Sequence, residues 1–119
     1  GLIGLCIATT AGMFRLAVVA FTLAWTHSVE KVEWQEDWSV EEGRLILVES
    51  RIKGSGAGME PGDDAVWRDG WWTWRPHVAL DELVLGDSGE AGQWRLCSPD
   101  CRALADPAHA PYRLTSCAS

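Results

Sequence analysis

His27, Ser28, Glu30 and Glu36 are the residues whose types and spacing could carry chemistry in this chain. An imidazole hydrogen-bonded to an inward carboxylate can serve as a base, a ligand anchor or half of a metal site, and the same pair can equally be a satisfied network inside a core. Ser28 adjoins His27, but adjacent side chains of a strand point to opposite faces, so a Ser–His nucleophile pair is disfavoured. A metal site would need a third ligand, for which His77, His109 and Glu30 are the candidates. No complete catalytic, cofactor or metal signature occurs, so the residues point to neither an enzyme nor a cofactor or metal protein.

Alternation defines the elements that must position these groups. Phe21, Leu23, Trp25, His27 and Val29 share one face of a strand, whereas after Val29 the inward set becomes Val32, Trp34, Glu36, Trp38 and Val40. Such a change of phase requires a bulge or a tight turn, here within Ser28–Lys31. His27 and Glu36 then stand among large apolar neighbours, where an unpaired charge is expensive, and a hydrogen bond between them, direct or through one water, is expected.

Leu45–Ile52, preceded by the Glu42-Gly43 turn, supplies a hairpin partner for the strand Trp34–Val40. The following Lys53–Gly62 is a glycine-rich loop. It fails as a phosphate loop, since no Gly-Lys-Ser/Thr follows and Glu60, Asp63 and Asp64 are acidic. Asp69-Gly70 predicts a two-residue hairpin that sets Arg68 opposite Trp71 and Trp67 opposite Trp72, with the last two indoles stacked across the strands. Further strands are expected near Leu83–Leu85, Gln93–Cys97 and Tyr112–Cys117. No stretch has a helical period, so the fold class is all-β, a single antiparallel domain over 1–119 that is barrel-like or a two-layer sandwich. Of eight tryptophans, Trp67, Trp71, Trp72 and Trp74 crowd into one hairpin on alternating faces, so some indole surface must be exposed, as a sugar-stacking platform or a protein interface.

With 119 residues and a net charge of −7, the chain repels phosphate backbones, which excludes nucleic acid as a natural partner. Arg15 divides the apolar N-terminal run into pieces too short to span a bilayer, so a strand running from Leu16 into Trp25 is expected there instead of a membrane helix. Leu5 makes a poor lipoprotein cleavage box before Cys6. Cys6, Cys97, Cys101 and Cys117 allow three pairings, and their spacing lacks the second close pair of a zinc site. The pairing adopted is Cys97 with Cys101 and Cys6 with Cys117, the latter tying the terminal strands together. Structural disulfides place the chain outside the cytoplasm.

Taken in order, Trp25-Thr-His-Ser-Val-Glu30, Glu36-Asp37-Trp38, Gly54-Ser-Gly-Ala-Gly58 and Asp69-Gly70-Trp71 closely resemble the bacterial family called domain of unknown function 1850, over roughly Phe14 to Leu85. The Cys-containing tail, 93–119, lies beyond that resemblance. Members of that family are small exported proteins often encoded beside tripartite ATP-independent periplasmic (TRAP) transporters of the TAXI type. The resemblance implies an exported, periplasmic or extracytoplasmic accessory or binding protein whose partners are TRAP transporter components or their solute. Its signature falls on His27, Ser28, Glu30 and Glu36 and on Gly56 and Gly58 of the loop Gly54–Gly58, and carries no assigned activity. A carbohydrate- or surface-binding module using exposed tryptophans is the alternative.

Overall fold

Period-two alternation dominates the structure, a computed structural model that describes residues 2–26, 32–53, 64–86, 94–103 and 111–118. Twelve strands form among them: β1 (Ile3–Thr9), β2 (Gly12–Leu16), β3 (Ala20–Thr26), β4 (Glu33–Glu41), β5 (Arg44–Lys53), β6 (Val66–Arg68), β7 (Trp71–Trp74), β8 (Val78–Leu80), β9 (Leu83–Leu85), β10 (Arg95–Cys97), β11 (Cys101–Ala103) and β12 (Tyr112–Ala118). A small sheet has the order β2-β1-β12-β9 and a large one β11-β10-β3-β4-β5-β7-β6, with β8 also paired to β5. Every ladder is antiparallel. Among the described residues both sheets keep free edges, so of the two expected architectures the chain adopts the two-layer sandwich and not a closed barrel. No helix among the described residues is long and apolar enough to cross a membrane.

The core lies between the sheets. Leu5, Ile7, Tyr112 and Leu114 of the small sheet meet Phe21, Leu23, Trp38, Val40, Leu45 and Leu47 of the large one. These positions follow from alternation: Phe21 and Leu23 pair with Trp38 and Glu36 across β3 and β4, and Phe21 and Trp38 stack with ring centroids 6.4 Å apart. β3 and β4 are antiparallel from Ala20↔Ser39 to Thr26↔Glu33, and the bulge or tight turn expected within Ser28–Lys31 lies outside the described residues. The Asp69-Gly70 turn forms with φ of 52° and 89°, and its pairs are Arg68↔Trp71 and Trp67↔Trp72. The Trp67 and Trp72 rings, 5.2 Å apart, meet edge to face and not stacked, the arrangement that the indole quadrupole favours.

The N-terminal region departs from the expected strand. β1 and β2 form their own hairpin, whose turn is held by Thr9: its Oγ1 accepts from Ala11 N–H at 3.1 Å and donates to Gly12 O at 3.2 Å. A three-residue turn, with Val18 N–H donating to Leu16 O at 2.9 Å, then breaks the chain between the sheets, so Leu16 belongs to one sheet and Ala20 to the other. Arg15 lies on the outer face of the small sheet, directly over Gly4, where a Cβ would meet its guanidinium at 2.6 Å, and it donates to Leu2 O at 2.8 Å.

Both expected disulfides are present. Cys97 and Cys101 face each other across the β10–β11 hairpin. Cys6 lies opposite Thr115 and Cys117 opposite Gly4, so the second bridge runs diagonally across β1 and β12, with Cα atoms 5.9 Å apart.

Candidate functional site

Glu36 sits on the inward face of β4 between Trp34 and Trp38, opposite Leu23 of β3 and Ser50 of β5. The shared core occupies the Trp38–Val40 half of that face. Beyond it, tryptophans take over. Trp25 and Trp34 are cross-strand partners and stack at 5.8 Å, Trp94 lies 4.8 Å from Trp25, and Trp94 Nε1 donates to Gly86 O at 3.2 Å. Ile52 and Ser50 of β5, opposite Trp34 and Glu36, pair in turn with Trp72 and Trp74 of β7. A carboxyl therefore stands among indoles at one end of the large sheet. Trp38 Nε1 donates to Glu36 Oε1 at 3.3 Å, whereas Trp34 Nε1 is buried with no partner among the described residues. Burial pushes the Glu36 carboxyl above its ordinary pKa, and the bond from Trp38 offsets only part of this.

The sign of that shift gives a prediction. A carboxyl whose folded pKa is raised contributes stability that is full below its unfolded value and is lost as pH rises through the folded value. Glu36→Gln should therefore be more stable than the native protein at pH 7, and the two should converge below about pH 4.5. Urea midpoints measured from pH 4 to 8 check this, and a native protein that outlasts the variant at neutral pH would show that the ionised carboxylate has a stabilising partner.

The other residues singled out from the sequence, His27, Ser28, Glu30, Gly54, Gly56 and Gly58, lie outside the described residues, as does the expected His27–Glu36 hydrogen bond. Their anchor points are placed. Thr26 ends β3 and Lys53 ends β5, and these two strands flank β4 at its Trp34 end. The two signature stretches thus attach at the tryptophan-lined end, from neighbouring strands.

The opposite face of the large sheet holds a group that the sequence reading missed. Asp37 of β4 and Glu49 of β5 are cross-strand partners, and Arg51 binds both. Its Nη1 and Nη2 reach Asp37 Oδ2 and Oδ1 at 2.7 and 2.9 Å, Nη1 also reaches Glu49, and Nε and Nη2 donate to Gln35 Oε1 at 3.2 and 2.9 Å. Thr22 Oγ1 adds a bond to Asp37 Oδ1 at 2.6 Å. Burial alone would raise the Asp37 carboxyl, but the bonds from Arg51 and Thr22 and the charge of Arg51 outweigh it and hold the group below the usual carboxylate range. The bond to Asp37 is the largest influence keeping Arg51 protonated.

A bulge runs beside this network. The register of β4 with β5 changes between Asp37↔Glu49 and Trp38↔Leu47, leaving Val48 unpaired. On the far side of β5 the pairing passes from Ser50↔Trp74 to Leu47↔Val78, so Arg75, Pro76 and His77 span the same irregularity. Two hollows border it. One of about 490 Å³ lies between Val48, Asp37 and the Cys97–Pro99 turn, and one of about 340 Å³ lies between Glu49, Thr73 and Arg75.

The fold and its site define an all-β, disulfide-bridged sandwich whose larger sheet has a tryptophan-lined, carboxyl-bearing end. Residues 21–104, well over half of the chain, match the family described as Domain of unknown function (DUF1850), and the chain belongs to that family. The match starts in β3 and runs past Leu85 through the Cys97–Cys101 hairpin, so it takes in the whole large sheet, while β1, β2 and β12 of the small sheet fall outside it. No curated protein and no solved structure matches the chain significantly.

Proposed function

We propose that this chain works outside the cytoplasm, not as an enzyme but as an accessory or binding protein of a TRAP-type solute transporter. It contacts a transporter component or its solute at the tryptophan-lined end of the large sheet, together with the signature residues around His27 and Gly54–Gly58. The observation that carries this reading is the convergence at that end of Trp25, Trp34, Trp94 and Glu36 with the strand ends Thr26 and Lys53. Half-buried indoles beside a polar group are the usual ingredients of a recognition surface. Two disulfides suit an oxidising compartment. Affinity capture of the tagged protein from its native membrane fraction tests the reading. Transporter subunits should be recovered by the native protein and lost with Gly56→Val, and their absence from both captures would remove the reading.

A second reading rests on Trp67, which stays 50% exposed at the edge of the large sheet with Trp72 against it. An exposed indole face stacks on a sugar ring. Retention on immobilised glycans that disappears in Trp67→Ala, with no transporter subunit captured, would transfer the function to carbohydrate binding.

A further inference from the structure

The smaller hollow lies on the outer face of the large sheet, opposite the face that carries the tryptophans and Glu36, and its charge pattern is unusual for this chain. Alternation carries Thr73 and Arg75 onto the same face as Arg51, and the hairpin turn brings Arg68, two residues beyond Thr73's partner Val66, to that face as well. Arg68 and Arg75 both line the hollow, and neither has an ion-pair partner among the described residues. In a protein of net charge −7, two guanidiniums around one cavity with no ion-pair partner among the described residues are an asymmetry that fold stability does not require. The acidic lining does not cancel them. Glu49 is already bound by Arg51, and Asp64 supplies one opposing charge.

We propose that this hollow binds a small organic monocarboxylate. A guanidinium presents parallel N–H donors that match a carboxylate in bidentate fashion. Thr73, only 8% exposed, offers a hydroxyl, and Val66, its cross-strand partner on the same face, offers an apolar wall for the body of the ligand. The volume of about 340 Å³ falls at the small end of ligand cavities. The carboxylate of Asp64 selects against a dianion such as phosphate, because the second negative charge meets it in the lining. The bulge explains why the cavity exists at all: the extra residue between Trp74 and Val78 turns the chain outwards, with His77 held at a φ of 54°.

The test is a nuclear magnetic resonance titration of the full chain with benzoate, with benzyl alcohol as its neutral counterpart, and with inorganic phosphate. Benzoate should shift the Thr73 and Arg75 amides saturably, and benzyl alcohol should bind at least tenfold more weakly. Arg75→Gln and Arg68→Gln should each weaken benzoate at least fivefold. Arg102→Gln, which removes the same charge from β11 at the opposite edge of the sheet, should leave it unchanged. Dispersed spectra of the variants establish that they fold. No saturable shift at tens of millimolar benzoate, equal binding of benzyl alcohol, tighter binding of phosphate, or an equal loss with Arg102→Gln would overturn the proposal. The outcome is independent of the transporter reading, which concerns the other face.

Discussion

Replacing Cys6 and Cys117 together by alanine is expected to cost about 4.7 kcal/mol of stability, the value that the chain-entropy model gives for a loop of this size. The bridge joins residues separated by 111 positions, so without it the unfolded chain regains nearly all the freedom that the bond removes. Domains of this size are stable by only about 5–15 kcal/mol, so the double variant should lose from roughly a third to nearly all of its stability. The Cys97–Cys101 bridge closes a separation of only 4, and the Cys97→Ala/Cys101→Ala variant should lose about 2 kcal/mol in the same model. Urea midpoints of the two double variants at pH 7 compare them directly. Equal losses would mean that the unfolded chain already holds its ends together.

Arg51→Ala is expected to be the costliest single substitution on the outer face, at about 2–3 kcal/mol. That figure lies between the loss from breaking a fully buried pair and the small worth of an exposed one, because the Arg51 side chain is 19% exposed. The substitution removes the cation and leaves Asp37 and Glu49 facing each other across β4 and β5. The deficit should therefore shrink on acidification, as protonation relieves that repulsion. In the native protein the lowered pKa of Asp37 contributes stability that is present above the unfolded carboxylate value and is lost as pH falls through the folded one. Arg51→Lys should recover only part of the loss, because an ammonium cannot reproduce the fork that grips Asp37 through two nitrogens. Chemical denaturation of the three proteins at pH 7 and pH 4 checks the order and the pH trend, and a deficit that grows at pH 4 would contradict the ion-pair account.

Much of this was legible where alternation is strong. Phe21-Leu23-Trp25 and Trp34-Glu36-Trp38 give β3 and β4 without ambiguity, and Asp69-Gly70 gives β6 and β7 with their pairing, because a turn needing two positive φ angles selects few residue pairs. The bulge at Val48 was hidden. Its signature is a change of the inward set from Leu45 and Leu47 to Ser50 and Ile52, and the polar Ser50, buried beneath Trp74's strand, obscured that change. The Arg51 network was missed for a related reason. Asp37, Glu49 and Arg51 read as ordinary outward charges, and only the bulged register brings Asp37 and Glu49 together. The N-terminal hairpin escaped because residues 2–8 are apolar on both strand faces, so their pattern contains no clue to where the chain turns.

The pairing of β1 with β12 also governs how the fold can be reached. β1 is made first and β12 last, and the small sheet has β12 at its centre, between β1 and β9. During vectorial emergence from a ribosome, β1 and β2 can pair only with each other within the small sheet, leaving the β12 side of β1 unpaired until Leu114 and its strand arrive. Long-range pairing of this kind slows folding and prolongs the exposure of apolar strand. A circular permutant that joins residue 118 to residue 3 through a short linker, and opens the chain at the Asp69-Gly70 turn, would make this slow long-range closure local, and its refolding should be faster than that of the natural order.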